Sequence, residues 1–186
     1  MGVNAFRVSR RPLCRWRVLG GSCMIFVTVG SQKFQFDRLI RAVDALVASG
    51  AVGGRCFCQT GACTFIPENL EHEAFLDRDS FRHHMDACDV VITHGGTGAI
   101  MGAVKDGKKV IAVPRRAEFD EHVDDHQIEI VRQFGDMGLI EPCMDPVDLA
   151  SAYARALSKD YLPYKSNTAQ FCADLSEYID EVGGAR

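Results

Sequence analysis

The sequence predicts an α/β domain, one parallel sheet with helices on both of its faces. Three observations point to it. Short β-branched runs alternate with stretches of helical apolar spacing from Met24 onward. One of those runs, residues 89–93 (DVVIT), is continuously apolar in its middle, as a strand buried on both faces must be. Glycines stand where strands stop and helices begin.

The elements follow in order. Residues 25–29 form a first strand ending at Gly30. Residues 37–47 place Leu39, Ile40, Val43, Leu46 and Val47 at helical spacing, with Gly50, Gly53 and Gly54 beyond. Residues 55–59 read as a second strand, 70–75 as a short third, and 81–87 as a brief helix. After the strand at 89–93, residues 97–105 suit a helix with Gly107 just past its end. Residues 109–113 are a strand stopped by Pro114, and 124–134 a helix with Ile128, Val131 and Phe134 on one side. Leu139 and Ile140 suggest an edge strand, and residues 146–157 a helix with proline in its first turn. A last helix over 168–182 aligns Phe171, Leu175, Tyr178, Ile179 and Val182. Such a stripe is ordinarily core, and any exposed part of it marks a partner surface. This alternation is Rossmann-like.

Length and charge bound the rest. The 186 residues fit one domain, read as residues 24–186, preceded by a basic extension over residues 1–23 that carries five arginines and no acid. An upstream start codon is the favoured reading of that extension, ahead of a targeting peptide or a lipid-touching arm. Residues 24–186 hold 16 Lys and Arg against 25 Asp and Glu, which argues against a nucleic-acid partner. No apolar run reaches the roughly 20 residues of a membrane span. The eight cysteines include no Cys-x-x-Cys pair and read as small buried hydrophobes of a reducing cytoplasm.

Ligands of open α/β sheets bind beyond the carboxyl ends of the strands, and three segments fall there. His94-Gly95-Gly96-Thr97-Gly98 opens a helix, so its amides sit at a positive helix end; Thr97 can cap or donate, and His94 can donate to a phosphate oxygen. The same glycines would also serve a tight turn. Gly30-Ser31-Gln32 follows the first strand and either binds a ligand oxygen or caps the next helix. The third segment runs from Arg115 to Gln127, after the strand at 109–113; its part at 118–127 is dense in polar groups but has no recognised metal-ligand spacing, so no metal and no cofactor are predicted. His126 and Gln127, in a first helical turn facing the strand ends, suit sugar hydroxyls. Neither GxxxxGK[ST] nor GxGxxG is present, which removes the usual support for ATPase or dehydrogenase chemistry.

The stretches MIFVTVGSQKFQFDRL, DVVITHGGTGAIMGAVKDGKKVIAVPR and EHVDDHQIEIV resemble the glycosyltransferase family 28 C-terminal domains, and more closely the PssE-type soluble subunits of exopolysaccharide synthesis. The resemblance covers residues 24–182. It implies the donor-binding C-terminal half of a GT-B enzyme split into two chains, with a membrane-attached PssD-type subunit holding a lipid-linked saccharide acceptor. The protein would then work in the cytoplasm, at the inner face of the plasma membrane through that partner.

The resemblance also implies that Gly30, Ser31 and Gln32, with His94 through Gly98, embrace the diphosphate of a UDP-sugar, and that His126 and Gln127 meet the donor sugar. Many relatives place a ribose-binding glutamate eight residues after the position of His94. Here that position is Gly102, which leaves Glu121 or a backbone group as the candidate. No residue stands out as the base for the acceptor hydroxyl. The alternative to a catalytic subunit is a non-enzymatic one that stabilises a membrane glycosyltransferase.

Overall fold

The structure is a computed structural model and describes residues 23–183; most of the basic extension lies outside the described residues. Six strands form one parallel sheet: β1 (Ile25–Thr28), β2 (Cys56–Gln59), β3 (Glu71–Glu73), β4 (Val90–His94), β5 (Lys109–Val113) and β6 (Glu141–Pro142), in the order β3-β2-β1-β4-β5-β6. Six α-helices accompany them among the described residues: α1 (Asp37–Ala48), α2 (Arg78–Ala87), α3 (Thr97–Lys105), α4 (His126–Asp136), α5 (Leu149–Ser158) and α6 (Thr168–Gly183). The predicted class, an α/β domain with a parallel sheet and helices on both faces, is the one observed.

Alternation along the strands builds the two faces. Ile25, Val27, Val90, Ile92, Ile111 and Val113 join Leu39, Ile40 and Val43 of α1 and Leu149, Ala152 and Tyr153 of α5 in one cluster. Phe26, Val91, Val110 and Ala112 point the other way, onto Met85 of α2, Ile100 and Ala103 of α3 and Val131 of α4. Ile25, Val27, Val90 and Ile92 have no exposed surface. Every strand except the edges is therefore apolar on both sides, which is why periodicity alone read β4 as a continuous run.

Several boundaries move for identifiable reasons. The helix read at 81–87 is the longer α2, because Asp77 accepts the Ser80 amide at 2.7 Å and starts it earlier. The helix read from 124 begins at His126, after a polar turn. Pro146 opens a 3-10 turn, Pro146–Asp148, and α5 proper begins at Leu149. Leu139 and Ile140 are buried core residues, while the edge strand lies one step later at Glu141–Pro142.

The larger correction concerns α6. None of its residues is buried, and Phe171, Leu175, Tyr178, Ile179 and Val182 are 45–62% exposed. Each such side chain forgoes about half of the roughly 1.5–3 kcal/mol that complete burial would provide. The stripe is not core. Cysteines 56, 58, 88 and 143 are buried as expected, but Cys172 on α6 is exposed. No helix among the described residues is long and apolar enough to cross a membrane.

Candidate functional site

Strands β1, β4 and β5 are neighbours, so the loops that leave their carboxyl ends share one rim of the sheet. Two of those loops touch. Gly30 has φ +79°, a conformation glycine adopts without strain, and a Cβ there would lie 2.8 Å from Cε1 of His94. A Cβ on Gly96 would lie 2.4 Å from Nε2 of the same ring. The two glycines thus make the slot in which the imidazole stands, with its Nε2 edge between them. This is a stronger requirement than a tight turn.

The tautomer of His94 follows from its neighbours. Thr93 Oγ1 donates its only hydrogen to the Thr28 carbonyl (3.1 Å) and lies 3.4 Å from Nδ1 of His94. The hydroxyl can therefore only accept from the ring, which puts the hydrogen of the neutral imidazole on Nδ1 and a lone pair on Nε2. Burial holds the His94 pKa down at about 4; Arg115 and His122 add to the depression, and a hydrogen bond with the Thr28 carbonyl opposes it. At neutral pH the ring is uncharged, and Nε2 becomes a donor only after taking up a proton.

Beyond His94, α3 begins at Thr97 with Gly96 as its N-cap and no side-chain cap. The amides of the first turn have no intrahelical acceptor, and Thr97 and Gly98 are exposed. A positive helix end, first-turn amides without intrahelical acceptors and a bare glycine backbone are the features that suit an anion. Ser31 and Gln32 are exposed on the facing loop. The amide of Gly30 is already turned to Thr28 Oγ1 at 3.3 Å.

Gln127 is only 3% exposed, and its Oε1 accepts from the amides of both Gly95 and Arg115, each at 3.1 Å. One side chain of α4 thereby ties the loop after β4 to the segment after β5. His126, next to it, is exposed. The two residues read as a pair from the sequence thus face different surroundings, with Gln127 turned inward.

Glu121 has no exposed surface. Its carboxylate takes a two-pronged ion pair from Arg38 (Nε to Oε1 and Nη2 to Oε2, both 3.0 Å), and Oε2 also accepts from the Arg116 amide at 3.0 Å. A carboxylate committed in this way holds the segment after β5 onto α1 and is not available to ribose hydroxyls. The idea that Glu121 substitutes for the missing glutamate is therefore corrected. Gly102 itself faces open space, on a groove of about 690 Å³ between α2 and α3 that Arg78, Asp79, Phe81 and Asp106 also line.

Arg115 opens the third segment, and its role is the one that sequence reasoning missed. Its side chain is 1% exposed and its guanidinium donates to four carbonyls: Nη1 to Phe34 (3.0 Å), Gln35 (2.7 Å) and Glu121 (3.0 Å), and Nη2 to Val29 (2.7 Å). It also lies 5.0 Å from the Phe36 ring centroid. Five donors in a rigid fork suit this task, which pins the whole loop between β1 and α1. The available signal was a charged residue placed directly after a buried strand and proline (IAVPR).

The glycosyltransferase family 28 C-terminal domain profile matches residues 24–181. The UDP-N-acetylglucosamine transferase subunit ALG13 of Homo sapiens is 29% identical over 143 residues, which are 72% of this chain and 12% of that protein. The protein of the same name from Eremothecium gossypii is 28% identical over 184 residues, covering 94% of this chain and 85% of that one. The NMR structure of ALG13 superposes with a TM-score of 0.54 at 17% identity, over 78% of this chain and 90% of that chain, a likeness of fold.

Proposed function

The chain belongs to the glycosyltransferase family 28 C-terminal domain family, and from that premise we propose that it is the donor-binding, catalytic subunit of a two-chain inverting glycosyltransferase. It binds a UDP-sugar and transfers the hexose to a lipid-linked saccharide, held by a membrane-attached PssD-type subunit at the cytoplasmic face, in exopolysaccharide or capsule synthesis. The observation that carries this reading is the uncapped N-terminus of α3 lying beside His94 in its two-glycine slot.

The chemistry follows from charge. When the glycosidic bond to phosphate breaks, UDP leaves with an additional negative charge, and fixed donors stabilise that charge without reorganising. The first-turn amides of α3 are such donors, and the diphosphate sits on them. His94 adds a switchable one. Its Nε2 is a lone pair in the free protein, and a diphosphate oxygen placed against it favours proton uptake, which turns Nε2 into a charged donor. Arg115 and Gln127 hold the loops in register for this. His126, exposed at the mouth, is the side chain of the pair that remains available to the donor sugar.

The relatives' name makes UDP-N-acetylglucosamine the first donor to test, with UDP-galactose and UDP-glucuronate beside it. The unpartnered stripe on α6 is the proposed contact for the second subunit, which would also contribute the acceptor base. The decisive experiment reconstitutes transfer from labelled UDP-sugar with the chain and its partner. His94→Ala should remove transfer while the two chains still co-purify. Transfer that persists in this variant would leave the chain in a stabilising, non-catalytic role.

A further inference from the structure

Outside the diphosphate loops, three side chains of the turn entering α4 converge. The donor atoms of His122, Asp124 and His126 all lie within 4.8 Å of one another. His122 Nδ1 is 3.2 Å from Asp124 Oδ1, and His126 Nδ1 is in direct contact with that same oxygen. Ligand atoms around a tetrahedral ion at about 2.0–2.2 Å are spaced roughly 3.3 Å apart, close to the separation of His122 Nδ1 from Asp124 Oδ1, while His126 and Asp124, in direct contact here, would move apart to share an ion. Two ligands are pre-oriented: the His122 side chain is 9% exposed, with its ring centroid 5.3 Å from Phe34 and 4.8 Å from His126, the latter edge-on.

We propose that His122, Asp124 and His126 form a binding site for one borderline divalent transition-metal ion, of the Zn²⁺, Co²⁺ or Ni²⁺ class. Two imidazole nitrogens and one carboxylate oxygen are the donor set that such ions prefer, and three protein ligands leave a coordination position open. The spacing of two residues between successive ligands matches no recognised motif, which is why the sequence predicts no metal here; the turn before α4, not helical periodicity, brings the side chains together. The site stands beside the loop between β1 and α1, since the His122 ring packs on Phe34 of that loop. The proposal does not depend on the glycosyltransferase reading.

The test uses the full, untagged chain, stripped with a chelator and titrated with Zn²⁺ by calorimetry and with Co²⁺ by visible absorption. One ion should bind per chain, without the thiolate charge-transfer bands that cysteine ligation gives. His122→Ala and His126→Ala should each weaken binding by at least about tenfold, and His83→Ala, an exposed histidine elsewhere on the surface, should leave it unchanged. Because His126 is exposed, its variant stays informative even where His122→Ala lowers stability. Absence of saturable binding, equal affinity in His126→Ala, or a thiolate spectrum would each overturn the proposal.

Discussion

Replacing Gln127 by methionine keeps the length and apolar stem of the side chain and deletes the amide oxygen. That oxygen is the acceptor for two buried amides, Gly95 and Arg115, each 3.1 Å away. A buried donor left without an acceptor costs about 1–3 kcal/mol, and the thioether sulfur is too weak an acceptor to recover much of it. Two stranded amides therefore predict a loss of about 2–5 kcal/mol. For a domain of this size that corresponds to a fall in Tm of roughly 5–15 °C. Urea unfolding followed by circular dichroism measures it directly, with His126→Ala as the comparison; being exposed, His126 should change stability by no more than about 0.5 kcal/mol. A Gln127→Met variant that unfolds within about 1 kcal/mol of the parent, yet loses affinity for the UDP-sugar, would refute the structural role and return Gln127 to the donor sugar.

Other consequences follow from the same geometry. Arg115→Lys keeps a charge but cannot reach four carbonyls at once, so it should destabilise the chain by about 2–4 kcal/mol and loosen residues 29–36, read by hydrogen exchange. The depressed pKa of His94 makes stability pH-dependent. The unfolded state binds more protons between its ordinary value of about 6.5 and the folded value of about 4. The contribution is thus complete above the unfolded value and is lost as pH falls through this window. The parent should lose about 2 kcal/mol more than His94→Gln between pH 7.5 and 5, and parallel pH profiles would contradict it. Truncation after Ser166 removes α6, which has no buried residue, so Tm should move by no more than about 2 °C, while capture of the proposed partner subunit should be lost.

Much of this was legible in the sequence because the sheet is built from runs with one dominant period. Residues 97–105 and 109–113 were read with the bounds the structure has, since Gly107 and Pro114 leave little choice of endpoint. The rim was legible for the same reason: strand ends fix where His94, Gly30 and the 115–127 segment must meet. The direction of individual side chains was not. Gln127 and His126 are adjacent in sequence, and only the packing of α4 against Gly95, where a Cβ would come 2.8 Å from Gln127 Cβ, turns one inward and leaves the other in solvent. Glu121 read as an available carboxylate because its partner Arg38 lies 83 residues away. The stripe of α6 has the pattern of a core helix, and periodicity cannot tell whether the surface that covers it belongs to the same chain.

The most direct test of the central claim is calorimetric titration of the chain with UDP, in the absence of added metal, for the parent and for His94→Ala. One UDP should bind per chain, and the variant should bind it at least about tenfold more weakly, a loss of about 1.4 kcal/mol or more. Equal affinity in the two proteins, or no binding of UDP even with the partner subunit present, would contradict a diphosphate site at the N-terminus of α3.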